Sequence, residues 1–360
     1  MIYVKSDDLK VGMRLAKPIY NKKGVLLYGR DDKITRQGIE SVKNFGLIGL
    51  YILEPAEPLP PMSEEEIEFE RFQTMAVFSL KEDLDNIMKG KKPENLMGQT
   101  DELVRRFGDL YHKIHFNQNL RSPEDYVYKH SLNVAILAAL LANRAGFGIM
   151  EKTEVVVAAL LHDLGKLSLQ PKLRGKMEEL EPEEQTTIAK AVISGIEKIS
   201  NAFKVPAGVK STLMQLCQFL YLPESAPAQM SESVKILLVA NAYDEYTAMQ
   251  LDLDPHSEIE AVRMLMSDEN LYDPETVKHL TDSILILYPG VCVELTNSEK
   301  GLVINENEKD MLRPIVLGFN TNQIYNLDMD EEFERIQIRD IMKTMDNRIK
   351  VDPERLKEYM

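Results

Sequence analysis

Short apolar runs with turn signals between them open the chain, and longer runs with helical spacing follow. Over residues 1–53 the runs are β-branched and brief: Ile2-Tyr3-Val4, Val11-Gly12-Met13, Pro18-Ile19-Tyr20, Val25-Leu26-Leu27 and Leu47 through Ile52, with Asn21-Lys22-Lys23-Gly24 as a turn between two of them. This predicts a small β-rich module. Its one helix is expected over Asp32–Phe45, where Ile34, Ile39 and Val42 fall close to one face and Gly46 supplies a stop. Glu54 through Pro61 is rich in proline and continues neither helix nor sheet, so residues 54–62 read as a stiff linker.

From Ser63 nearly to Tyr288 the pattern is helical, with an acidic first turn at Glu64-Glu65-Glu66 and breakers at Pro93, Pro123, Pro171, Pro182 and Pro223. Residues 63–120 are expected to be connecting helices and 121–288 an all-helical domain. Leu132, Ile136, Ala139 and Leu140 form a stripe that must be buried, as must Leu237, Val239 and Ala240. Strand texture returns beyond Pro289: Val291 through Leu295, a turn at Thr296–Gly301, then Leu302-Val303-Ile304. Residues 289–360 therefore read as a β-hairpin cap followed by a charged tail anchored by Ile336, Ile338, Ile341 and Met342. The fold class expected is mainly α, with small β elements at both ends.

Composition narrows the function more than the fold. The chain has 360 residues, 44% of them apolar and 28% charged, which suits a soluble globular protein of two or three domains. A net charge of −15 argues against binding duplex nucleic acid or an anionic membrane. It leaves room for a small anion in a locally basic pocket. Two cysteines, Cys217 and Cys292, make no disulfide framework, and no signal segment opens the sequence, so a reducing cytoplasm is expected. The longest apolar stretch, Val134–Ala142, is about half of what a bilayer needs, and no membrane span is predicted.

The chemistry concentrates in Val155-Val156-Val157-Ala158-Ala159-Leu160-Leu161-His162-Asp163-Leu164-Gly165-Lys166. Neighbours on a helix sit about 100° apart, so His162 and Asp163 can reach one metal centre, imidazole as terminal ligand and carboxylate as bridge. The bland alternative is a polar couple closing a helix. Upstream, Tyr128-Lys129-His130-Ser131-Leu132-Asn133-Val134-Ala135 sets His130 on the preceding helix.

With Lys166 and Pro171, these motifs resemble the HD phosphohydrolase superfamily, specifically its HD-GYP branch of bacterial cyclic di-GMP phosphodiesterases. Leu9-Lys10-Val11-Gly12-Met13, Tyr288-Pro289-Gly290 and Leu312-Arg313-Pro314-Ile315-Val316 are similar to segments that flank that domain, so the resemblance covers most of residues 1–318. It implies a two- or three-metal centre of Fe or Mn, with His130, His162 and Asp163 as ligands and Lys166 facing the phosphate. Most of the other implied ligands are absent. Ala191 stands where a histidine is expected, with Gly195 retained after it. Cys217 and Gln218 stand in a His-His-Glu stretch, and Asn241 replaces an aspartate. The Gly-Tyr-Pro loop gives way to the shorter Tyr221-Leu222-Pro223-Glu224-Ser225-Ala226-Pro227.

A metal pair would supply both the hydroxide nucleophile and the Lewis acid of phosphodiester hydrolysis, so its loss removes the chemistry. Two readings of the surviving cluster stay open. His130, His162 and Asp163 hold one ion with open positions, with Cys217 as an added donor, or they form a hydrogen-bonded network ordering the core. Lys166 likewise either contacts phosphate or answers the helix dipole. Arg174 and Lys176 either widen a basic pocket or are solvated, and His112, His115, His256 and His279 show no ligand-like spacing. Three functions follow: a catalytically inactive regulatory or binding module in cyclic di-GMP signalling, a phosphodiesterase or phosphohydrolase working on a nucleotide through a reduced metal site, and a metal-free scaffold for a protein partner. Expected partners are cyclic di-GMP or another anionic nucleotide, a protein, and a second copy of the chain.

Overall fold

The computed structural model describes residues 2–44, 49–53, 63–118, 121–175, 180–248 and 255–342 and is mainly helical, with small sheets at both ends. In the N-terminal module, β1 (Ile2–Lys5) pairs antiparallel with β4 (Gly49–Ile52), and β2 (Ile19–Tyr20) with β3 (Leu26–Tyr28). Leu9, Leu15, Ile34, Val42, Leu50 and Ile52 make a small core of their own. The helix α1 is Arg36–Asn44, shorter than expected at its start. Thr35 Oγ1 accepts the Gly38 N–H at 3.0 Å and so caps it there, while Ile34 N–H is tied to Met13 O at 2.8 Å in an extended segment. The proline-rich linker lies outside the described residues.

The helical body runs α2 (Glu64–Met88), α3 (Leu96–Phe107), α4 (Tyr126–Arg144), α5 (Ile149–Leu161), a 3-10 turn at Leu164–Ser168, α6 (Pro171–Arg174), α7 (Pro182–Ala202), α8 (Ala207–Tyr221), α9 (Glu232–Thr247), α10 (Glu258–Ser267) and α11 (Pro274–Thr281). Ser63 and Glu66 start α2 with a reciprocal capping box. The middle of α4 is apolar all round and buried all round, from Leu132 to Ala142 with Asn133 as the one polar interruption. It packs on α5 and α9, and its alanines let those backbones approach. Helices α2 and α3 contribute Phe72, Leu80, Leu84, Leu103 and Phe107 to the same continuous core, so they are part of the body rather than mere connections to it.

The C-terminal hairpin is the middle of something larger. Strands β5 (Cys292–Leu295), β6 (Lys300–Asn305), β7 (Ile315–Gly318), β8 (Ile324–Asn326) and β9 (Ile338–Ile341) form one antiparallel sheet in the order β8-β7-β6-β5-β9. The charged tail supplies the short α12 (Asp330–Arg335) and then an edge strand, in which Ile338 is buried opposite Leu295. The rest of the tail lies outside the described residues. Among the described residues no helix is long and apolar enough to cross a membrane.

Candidate metal centre

The cluster forms where α4, the end of α5 and α9 meet. Burial forces the polar ends of these apolar helices onto one another: His130 and Asp244 are fully buried, and Asp163, Asn241, His162 and Lys166 nearly so. A close backbone approach fixes the turn that carries Lys166. A Cβ on Gly165 would overlap Ala191 O, and one on Gly195 would lie 2.6 Å from Gly165 N, so the Leu164–Ser168 turn sits directly on the α7 backbone. The glycines that survive from the expected motif are therefore packing requirements.

Two imidazoles face each other. His162 Nδ1 is 2.7 Å from Ala159 O, and His130 Nδ1 is 2.6 Å from Asp244 Oδ2. With the ring protons on Nδ1, the two Nε2 atoms, 3.2 Å apart, would turn their lone pairs on one another. Such an arrangement is reconciled by a cation between them, a second ring proton or a metal. Asn241 Oδ1 lies 3.0 Å from His130 Nε2 and is the natural acceptor for such a proton. Burial holds the His162 imidazole neutral, down to a pKa of about 4 despite Asp163 beside it.

Asp163 completes the group, with its oxygens 3.5 Å from His162 Nε2 and 3.6 Å from His130 Nε2. Burial raises its pKa, but Lys166 and the two rings outweigh burial and bring it to about 2. Lys166 Nζ is 2.8 Å from Asp163 Oδ2, an ion pair off the direction of a good hydrogen bond, so that oxygen has no hydrogen-bond partner. Burial opposes the Lys166 charge, and Asp163 more than restores it. The Lys166 ammonium also lies 5.5 Å from the Tyr221 ring and 5.9 Å from that of Tyr126.

On the other side Asp244 is saturated. Its Oδ1 accepts from Arg121 Nη2 at 2.6 Å, from Gln118 Nε2 at 3.0 Å and from Asn133 Nδ2 at 3.0 Å. Burial raises the Asp244 pKa, and Arg121 with His130 drives it far below the usual carboxylate range. Asp244, Arg121, Gln118 and Asn133 were not expected from the sequence. The available signal was Asp244 itself, a charge shortly after the apolar run Ile236–Ala240.

One ligating atom from each of His130, His162 and Asp163 lies within 4.8 Å of the others, and among the described residues this is the group that could hold a metal. Those three donors suit a single divalent ion such as Fe or Mn, which would have to displace the Lys166 ammonium from Asp163 Oδ2. They do not extend to a second. Ala191 has no donor, and Cys217 is buried as a thiol whose pKa burial raises to about 11. Gln218 and Asn241 offer only amide groups. Arg174 donates to Leu167 O and Leu169 O, both at 3.1 Å, and so ties down the turn instead of widening a basic pocket. Lys176 lies outside the described residues. His115 packs edge-on against Tyr288 at 5.0 Å, and His256 pairs with Glu260 at 3.4 Å, away from the cluster.

Residues 127–245 match the family model of the HD domain. A cyclic di-GMP phosphodiesterase of Pseudomonas aeruginosa, PA4108, is 23% identical over 204 residues, which are 56% of this chain and 49% of that protein. The chain thus spans about half the length of that relative. The solved structure of Bd1817, an HDGYP protein from Bdellovibrio bacteriovorus, is similar with a TM-score of 0.46 at 15% identity, over 78% of this chain and 98% of that one. Residues 127–245, which hold the His130–His162–Asp163 cluster, thus match the HD domain, in a chain similar over part of its length to a cyclic di-GMP phosphodiesterase.

Proposed function

We propose that this chain is a catalytically inactive HD-GYP-like protein, a regulatory or binding module of cyclic di-GMP signalling in the cytoplasm. One observation carries the reading: the two buried carboxylates of the centre are each paired with a cation of the protein itself, Asp163 with Lys166 at 2.8 Å and Asp244 with Arg121 at 2.6 Å. A metal pair would have to displace Lys166 from Asp163, and Ala191, Cys217, Gln218 and Asn241 offer it little in return. In this reading His130, His162, Asp163 and Lys166 order the interior, and any anionic nucleotide binds without being hydrolysed.

A second reading has one specific observation in its favour, the convergence of one ligating atom from each of His130, His162 and Asp163 within 4.8 Å. His130, His162 and Asp163 would then hold a single Fe or Mn ion, which when bound supplies Lewis-acid stabilisation of a phosphodiester. Asp244 and Ala159 O would keep the rings in the ligating tautomer, and Lys166 would face the phosphate.

The deciding experiment is metal analysis of protein made in metal-supplemented medium without chelator, together with cyclic di-GMP turnover in Mn²⁺ and Fe²⁺. Inactivity, with metal well below one ion per chain, is the expected result. Near-stoichiometric metal with hydrolysis abolished by His162→Ala would overturn it. Calorimetric titration of cyclic di-GMP then separates a nucleotide-binding module from a scaffold that ignores the nucleotide.

A further inference from the structure

Helix α2 has one face buried in the core and an outward face that the N-terminal module covers only at one edge. Phe72, Ala76, Leu80, Leu84 and Ile87 enter the core. On the opposite side Ile67, Met75 and Phe78 remain 41%, 42% and 41% exposed. Single exposed apolar residues are ordinary, and these alone would mean nothing. What sets this face apart is its charge pattern.

Arg71, Met75, Phe78 and Glu82 follow one another at spacings of four, three and four, so they lie within about 60° of arc on the helix surface. Glu64 and Lys89 fall on the same stripe at the two ends of α2, and all four of these charged residues are exposed. None of the four makes an ion pair with another described residue. Arg71 with Glu82, Met75 with Phe78 and Glu64 with Lys89 share a single midpoint, between Ala76 and Val77. If a second α2 is laid antiparallel on the first, with a two-fold axis through that midpoint, each residue meets its counterpart. Arg71 faces the other copy's Glu82, Met75 faces its Phe78, and Glu64 faces its Lys89. An isologous interface needs this self-complementarity, and it arises here from one register with no adjustment.

The N-terminal module extends the surface. The turn of the β2–β3 hairpin rests on α2, with Gly24 against Met75 and Arg71, and Lys17 pairs with Glu70 at 2.6 Å. Val25, Leu26 and Leu27 beside that turn are 55%, 52% and 40% exposed. They add apolar area next to the stripe, where a long helix alone would bury too little for a stable dimer.

We propose that the outward face of α2 is a two-fold, antiparallel interface with a second copy of this chain, paired through Arg71–Glu82 and Met75–Phe78. Charge reversal tests it on the full chain, at exposed positions where the fold does not depend on the residue. In sedimentation velocity over a concentration series, the wild type is expected to form dimers. R71E and E82R should each weaken the dimer by at least about tenfold, because every like-charge contact occurs twice. An equimolar mixture of the R71E and E82R proteins should restore it, since each then offers what the other lacks, and the double variant R71E/E82R should dimerise by itself. A chain that stays monomeric at every concentration overturns the proposal. So does a dimer indifferent to R71E, or one lost in both single variants and not regained in their mixture.

Discussion

The two halves of the centre have the same parts and differ in how those parts are spent. Each has an imidazole, a carboxylate and a cation: His130, Asp244 and Arg121 on the α4–α9 side, and His162, Asp163 and Lys166 on the α5 side. Asp244 accepts from Arg121, Gln118, Asn133 and His130, so both of its oxygens are engaged. Asp163 is held by one cation, Lys166 at 2.8 Å, and lies 3.5 and 3.6 Å from the Nε2 atoms of His162 and His130. The saturated half is a scaffold that holds one ring in position. The other half rests on a single ion pair, Asp163–Lys166, and an ion entering the centre would have to break it.

Removing the cation of the saturated half should cost most. Arg121→Met would leave Asp244 as a buried charge without its strongest partner, at about 3–5 kcal/mol. Chemical denaturation should register this as a fall in midpoint with little change in slope. The comparison breaks if Arg121→Met proves nearly neutral, since Asp244 would then not depend on it.

The next effect is one of pH. His162 titrates near 6.5 when unfolded and near 4 when buried, so the unfolded chain binds the proton first as pH falls. The contribution of neutral His162 is complete above pH 6.5 and is lost between there and about pH 4, amounting to about 3 kcal/mol at most. Metal-free wild type should lose stability across this window, and His162→Gln should flatten that part of the profile. An unchanged slope in the variant would show that His162 does not carry the dependence.

Lys166→Met should cost less, about 2 kcal/mol, because His162 beside Asp163 can take up a proton and partly compensate it. Adding Asp163→Leu should recover most of that loss, as replacing both members of a buried pair commonly does. Failure to recover would mean that Asp163 does more for the fold than answer Lys166.

Local signals made part of this legible in the sequence. His130, His162, Asp163 and Lys166 stand in contiguous motifs, and the apolar runs of α4 and α9 announce buried helices. That Ala191, Cys217, Gln218 and Asn241 stand in for ligands rests on the resemblance of the residues around them alone. Asp244 and Arg121 were not legible, since their roles depend on partners far away in the chain: Arg121 comes from the loop before α4 and Asp244 from the end of α9. Charged residues in such positions read as solvated by default. The strand Ile338–Ile341 was hidden for another reason. It is four residues long in a charged tail, and it exists because β5 offers an edge to pair with.

The smallest predicted effect tests how far the unsaturated half is from holding a metal. Asn241 lies 3.0 Å from His130 Nε2, at the position where a carboxylate is implied by the family resemblance. Asn241→Asp would put a third buried carboxylate into a centre with two protein cations. Without metal it should cost about 1 kcal/mol through repulsion with Asp163 and Asp244. Divalent metal should reverse the sign: an ion bound at a hundred times its dissociation constant adds about 2.7 kcal/mol to the folded state. Excess Mn²⁺ should therefore raise the melting temperature of the variant and leave that of the wild type unchanged. Wild type that responds equally would place a metal on His130, His162 and Asp163 already, and the saturated half would then be the support of a working site. A variant that never responds would mean that Lys166 is not displaced from Asp163 even by a fourth donor, and that the centre is closed to metal by its own ion pairs.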